Sequence, residues 1–210
     1  MDPSLWFAFL AASTALLLVP GPTVLLVLAY ALGEGRRVAV PTALGVATGD
    51  LLAMTLSVLG LGALVLASAT LFTALKWIGA LYLIWLGIGM IRGAGNQKIT
   101  LDGAPRGLTR GRAFSDAATV TALNPKGIVF FIAFVPQFID PARPFGPQAA
   151  ILITTFVALA AVNALAYALA AARLRATIRR PGVLTWLSRA GGSVLIAMGI
   201  ATATLRRGAA

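Results

Sequence analysis

The order of apolar and polar positions divides the 210-residue chain into six long apolar stretches, at roughly 5–32, 41–67, 70–91, 113–138, 148–172 and 184–205. Each is apolar all round, so neither the amphipathic period of a surface helix nor the alternation of a strand can be read from it. About 20 apolar residues rising 1.5 Å each cross the hydrocarbon core of a bilayer, and every stretch supplies that length. The pattern predicts an all-α integral membrane protein with six transmembrane helices. The links are short. The longest, 92–112, runs Arg-Gly-Ala-Gly-Asn-Gln-Lys and later Gly-Ala-Pro-Arg-Gly, a flexible polar loop rather than a domain. Residues 1–210 are therefore read as a single transmembrane domain. The first stretch is expected to stay as a span, because no basic segment precedes it and Asp2 stands where a signal peptide carries positive charge.

Composition sharpens this picture. Apolar residues make up 59% of the chain before its 22 glycines are added, and charged residues only 11%, against about 25% in soluble domains. A soluble chain of this length cannot bury so much apolar surface, and disorder is excluded for the same reason. With no Cys and no His, disulfides, thiolate and zinc sites, and Ser-His-Asp or Cys-His nucleophiles are unavailable. No enzyme activity and no cofactor is expected.

The net charge of +11 would point to nucleic acid in a soluble chain. Here it sorts by loop. Arg36, Arg37, Arg92, Lys98, Arg106, Arg110, Arg112, Arg173, Arg175, Arg179, Arg180 and Arg189 follow the first, third and fifth stretches. Lys76, Arg143, Arg206 and Arg207 fall on the other side. The positive-inside rule then puts both termini outside the cytoplasm. A five-span arrangement with one re-entrant stretch would instead separate the termini. Lys76, Trp77 and Tyr82 read as an interfacial anchor belt, and Asp116 as an interface charge.

The third and sixth stretches resemble each other at an offset of 112 residues. Gly79, Leu83, Ile84, Gly87 and Ile88 fall on Gly191, Leu195, Ile196, Gly199 and Ile200. The first and fourth stretches both carry proline near the middle, and the second and fifth carry Asp50 and Asn163 at nearly the same offset. Two three-span units, about 1–91 and 113–205, joined by a cytoplasmic loop at 92–112, must point in opposite directions. This is the 3+3 inverted-repeat plan of many secondary transporters, with helices 1 and 4 broken.

Three places break the apolar pattern. Pro20, Gly21 and Pro22 lie mid-stretch, where proline removes a backbone bond and costs about 3 kcal/mol. The carbonyls freed there need partners that lipid cannot supply. Asp50 lies about ten residues into the second stretch, ~15 Å deep. A carboxylate there costs about 2.5–3.5 kcal/mol on insertion scales and is functional by default. Gly45 and Gly49 beside it have the spacing that lets a neighbouring helix approach closely. Asn124, Pro125 and Lys126 join an amide, a helix breaker and a cation about twelve residues into the fourth stretch. The plainer readings are a packing kink at the prolines, a structural Asp50–Lys126 pair, and a Lys126 that snorkels to an interface. Asn163 fits equally a place in the cavity or a bond to a neighbouring helix.

A broken helix aims N–H groups and a positive dipole end into a cavity, which suits a carboxylate. Lys126 adds positive charge, and Asp50 offers negative charge to an ammonium group or a proton. Together they complement a small zwitterion such as an amino acid. Asp50 could also carry a proton and couple transport to a proton gradient. No Walker-type phosphate loop is present.

Pro-Gly-Pro, Gly-Val-Ala-Thr-Gly-Asp, Gly-Ala-Leu-Tyr-Leu-Ile-Trp-Leu-Gly and Asn-Pro-Lys, followed by Phe-Phe and Pro-Gln-Phe, occur in order over nearly the whole chain. In this the chain resembles the LysE/RhtB family of bacterial inner-membrane amino-acid exporters. Ala117 stands where many members have Gly, a departure that touches only local packing. The resemblance implies efflux of an amino acid or close derivative by proton antiport. The partners expected are a small zwitterionic substrate, a proton and the lipid bilayer, with no nucleic acid; a homo-oligomer is compatible. One alternative is a metal or inorganic-cation exporter, for which a single deep acid without His or Cys is a poor ligand set. Another is an integral membrane enzyme, for which the Arg- and Gly-rich loops offer little chemistry.

Overall fold

The computed structural model describes residues 1–67, 69–94, 107–140, 142–173 and 181–204. Among these the chain is helical with no strand. The helices are α1 (Pro3–Leu18), α2 (Pro22–Glu34), α3 (Ala39–Ala67), α4 (Ala69–Gly93), α5 (Arg110–Ala122), α6 (Pro125–Ala133), α7 (Phe145–Arg173) and α8 (Pro181–Thr204). Every apolar stretch is helical, and the first and fourth are broken where proline predicts. Of the basic loop residues, Lys98, Arg106, Arg175, Arg179, Arg180, Arg206 and Arg207 lie outside the described residues.

Local chemistry sets the helix ends. The Asp2 carboxylate accepts from the Ser4 amide at 2.7 Å and opens α1, with Pro3 at a position that needs no donor. Val19 and Gly21 are extended, so α1 stops and α2 restarts at Pro22. Gly35 (φ 67°) ends α2 in the left-handed region that glycine enters readily, and a short 3-10 turn, Gly35–Val38, leads into α3. The second break falls between Ala122 and Pro125, bending the fourth stretch by 46°.

By length and hydropathy, Pro22–Gly60 and Phe145–Ala171 are each sufficient to cross a membrane, and the bent pair Arg110–Ala122 with Pro125–Phe138 is sufficient when its two arms are taken together. Pro3–Leu18 and Trp77–Gly93 are apolar but shorter. The break explains why α1 alone falls short. The contacts also make Pro22–Gly60 a hairpin. Gly45 packs on the Phe114 carbonyl and Gly49 on the Ala118 carbonyl, so α3 runs parallel to α5. Thr23 meets Thr121 while Tyr30 meets Asp116, so α2 runs antiparallel to α5 and hence to α3. Trp6 bonds Thr155 and Tyr167 bonds the Leu18 carbonyl, so α1 and α7 run parallel.

α4 and α8 pack antiparallel through glycine, and their contacts exchange under the 112-residue offset. A methyl on Gly87 would meet the Gly192 carbonyl at 2.5 Å and Ile196 at 2.8 Å. One on Gly199 would meet the Ala80 carbonyl and Ile84, each at 2.7 Å. Adding 112 to the α4 position and subtracting it from the two α8 positions turns the first set into the second. Gly87→Ala should therefore lower the melting temperature of the detergent-purified protein, since overpacking costs about 1–3 kcal/mol. Gly93→Ala, with open space around it, should leave it unchanged.

The core is largely aliphatic, with an aromatic group at one end. Phe131 stacks edge-on to Phe156 at 4.9 Å between ring centroids, and Phe130, Phe134, Phe138 and Phe9 continue the chain of contacts. Leu56, Trp85, Val162 and Trp186 stand exposed on outward faces, which a helix bundle tolerates in lipid but not in water. Ala117, fully buried, packs where α5 presses on Gly45.

Candidate functional site: a polar cavity where two helix breaks meet

The two breaks lie side by side. A cavity between them is lined by Gly21, Thr23, Asp50, Asn124, Lys126, Asn163 and Tyr167, with apolar walls that include Val24, Val27, Val46 and Phe156. Five of the residues singled out by sequence therefore converge: Gly21, Asp50, Asn124, Lys126 and Asn163. Pro20, Pro22 and Pro125 stand beside the cavity at the breaks and are not among its lining residues. Pro20 is buried in the break, whereas Pro22 and Pro125 are exposed first residues of α2 and α6. At that position proline's missing N–H leaves no bond unmade.

The carbonyls released at the end of α1 are met by side chains. Lys126 Nζ donates to the Leu16 carbonyl at 3.2 Å and to the Val19 carbonyl at 3.0 Å. Asn163 Nδ2 donates to the Leu17 carbonyl at 3.1 Å, and the Tyr167 hydroxyl to the Leu18 carbonyl at 3.0 Å. Four consecutive acceptors are thus satisfied from α6 and α7, as the low-dielectric setting demands. The buried cation also sits at the negative end of the α1 dipole. A methyl on Gly21 would lie 3.2 Å from Lys126 Nζ, so the glycine leaves room for the ammonium group.

The two helix starts at the cavity differ. The Asn124 carboxamide oxygen accepts from the Lys126 amide at 3.1 Å and caps α6, while its Nδ2 donates to Thr23 Oγ1 at 3.1 Å. α2 begins at Gly21 with no side-chain cap. Helix geometry leaves the Thr23 and Val24 amides without an acceptor inside the helix. This start is open to an anion, and that of α6 is not.

Asp50 is 6% exposed. Among the described residues it has no hydrogen bond, and no cation lies within 4.0 Å of it. The Asp50–Lys126 contact considered from sequence is therefore not a closed ion pair: Lys126 is engaged by carbonyls, and Asp50 faces the cavity unpartnered. Asn163 fills both roles foreseen for it, cavity lining and a bond to a neighbouring helix. Thr23 and Tyr167 were not foreseen, because a lone hydroxyl in an apolar run carries no signal until its neighbours are known. Among the described residues no group of three His, Cys, Asp or Glu comes together.

Apolar helices around a polar cavity at two helix breaks define a membrane carrier. The comparisons agree. The profile of the LysE type translocator family matches residues 5–206, and the chain belongs to that family. It is 39% identical over 201 residues to the homoserine/homoserine lactone efflux protein of Salmonella typhimurium, covering 96% of this chain and 97% of the relative. It is 34% identical to an uncharacterized membrane protein of Vibrio cholerae over 98% of this chain and all of the relative. It is also 33% identical to the leucine efflux protein of Salmonella choleraesuis over 71% of each chain. No solved structure matches.

Proposed function

We propose that the protein is a secondary active exporter of an amino acid or close derivative across the bacterial inner membrane, working by proton antiport. The observation that carries this reading is the pairing of an unpartnered, buried Asp50 with the uncapped start of α2 in one cavity. The substrate carboxylate lies on the Thr23 and Val24 amides, near the Lys126 ammonium group. The substrate ammonium lies on Asp50. Homoserine, homoserine lactone and leucine, the cargoes in the relatives' names, share an amino group, whereas the lactone has no free carboxylate. A carboxylate that reads the ammonium group suits all three. When the substrate leaves, Asp50 takes a proton, and its return across the membrane completes the antiport cycle.

The exchange-symmetric packing of α4 and α8 supports a 3+3 inverted repeat with six spans. The charge count supports placing both termini outside the cytoplasm. Compartment-sensitive reporters on each terminus test the topology: activity of both on the periplasmic side is expected, and opposite signals would reject six spans. The function is tested by overexpressing the protein in cells challenged with toxic amino-acid analogues, then following radiolabelled efflux from loaded cells. Faster efflux of at least one neutral amino acid is expected. Unchanged efflux of homoserine, its lactone and leucine, with no analogue resistance, would overturn the reading.

A further inference from the structure

The two breaks create four half-helices, which pair across the cavity. α1 and α6 meet on one side, through the bonds from Lys126 and through aromatic contact with the turn after α6, where Phe9 lies 5.4 Å from Phe138. α2 and α5 meet on the other, and their contact differs in kind. The Tyr30 hydroxyl donates to Asp116 Oδ2 at 2.8 Å. Glu34 Oε1 accepts from the Gly107 amide at 2.7 Å and the Leu108 amide at 3.2 Å. Gly107 has φ +77°, a conformation that lets two successive amides face one carboxylate. Arg112 pairs with Asp116 at 3.6 Å on the exposed rim.

These contacts stand at the end of the cavity. Val24 and Val27 line it, and Tyr30 follows Val27 by about one helical turn. Tyr30 forms a small apolar cluster with Val38, Leu108 and Ala113, apart from the main core. Each helix that carries the contacts also abuts a break: α2 starts at Pro22, just after Gly21, and α5 ends at Ala122, just before Asn124. A half-helix joined at a break can tilt as a unit, because no backbone bond ladder continues through it. The bonds involve ionised acceptors and so are stronger than neutral ones, yet they are few and close to solvent. Such an element can have two arrangements of similar energy.

We propose that Tyr30–Asp116 and Glu34–Gly107/Leu108 form a latch that closes the cavity toward the face of the α4–α5 loop. It opens when α2 and α5 tilt apart at the two breaks. The opposite face is closed by the aromatic group around Phe138. The inference rests on the carrier reading, since only a carrier needs its cavity closed from each side in turn.

The chain contains no cysteine, so Ala164→Cys, in the cavity wall, gives a unique thiol. Its labelling by a membrane-impermeant cationic methanethiosulfonate is timed in inverted and right-side-out vesicles. Tyr30→Phe and Glu34→Gln should each speed labelling from the α4–α5 face, and their combination by about tenfold. Labelling from the other face should stay constant, whereas Phe138→Ala should speed that one alone. Unchanged rates from the α4–α5 face in the latch variants would overturn the proposal, as would equal acceleration from both faces. Should the double variant not reach the membrane, Tyr30→Phe alone, which removes one oxygen, decides. The assay needs no substrate, so its failure leaves the exporter reading standing, and a failure of efflux leaves the labelling readable.

Discussion

Asp50→Asn is expected to abolish efflux while the protein still inserts and folds. The substitution keeps the shape and removes the charge. Asp50 makes no hydrogen bond and no ion pair within 4.0 Å among the described residues, so no structural bond is broken, and the relieved desolvation of the carboxylate offsets the loss of its longer-range attraction to Lys126. The melting temperature in detergent should hold or rise. Export should fall for two reasons. The substrate ammonium loses a charge-assisted bond worth about 1.5–3 kcal/mol, or roughly ten- to a hundredfold in affinity. The amide also cannot take up a proton, so the coupled return step is lost. Initial efflux rates from loaded cells, normalised to membrane-inserted protein, measure this. Normal export by the variant would remove Asp50 from the site.

Lys126→Ala should also abolish efflux, but with a different signature. Its ammonium group holds the Leu16 and Val19 carbonyls at the end of α1. Truncation leaves the Val19 carbonyl unmet at about 1–3 kcal/mol and takes one of two donors from the Leu16 carbonyl, which keeps the Val19 amide at 3.2 Å, so the melting temperature should drop together with activity. Lys126→Arg tests the geometry. A guanidinium keeps the charge but is wider than the space beside Gly21, where a single methyl would already reach Nζ at 3.2 Å. Partial stability with poor transport is expected. If Lys126→Ala instead kept full thermal stability and lost only substrate affinity, Lys126 would be a direct substrate ligand and not a clamp on α1.

These two expectations separate residues that look alike in the sequence. Both are charges deep in apolar stretches, and that anomaly alone marks them. The breaks were legible as well, because proline acts on its own backbone and the turn before it, so Pro20, Pro22 and Pro125 betray helix ends without tertiary knowledge. The roles were less legible. Which carbonyls Lys126 serves depends on how α6 crosses α1, more than 100 positions away in sequence. Asn124 looks like a free polar group until it is seen capping α6. Thr23 and Tyr167 look like ordinary helix residues, since a hydroxyl in a helix usually bonds its own backbone, as Thr42 does to the Val38 carbonyl. The Gly pattern of α4 and α8 was readable as a repeat because both helices need bare backbone at the same relative positions.

In the proposed cycle Asp50 exchanges a substrate ammonium for a proton. The most direct measurement follows lumenal pH in proteoliposomes loaded with labelled amino acid and containing either the wild type or Asp50→Asn. With the wild type, an outward substrate gradient should draw protons inward, and an inward proton gradient should accelerate substrate exit. With Asp50→Asn both fluxes should vanish together. Substrate exit from wild-type vesicles without proton movement, or coupled flux through Asp50→Asn, would contradict the account.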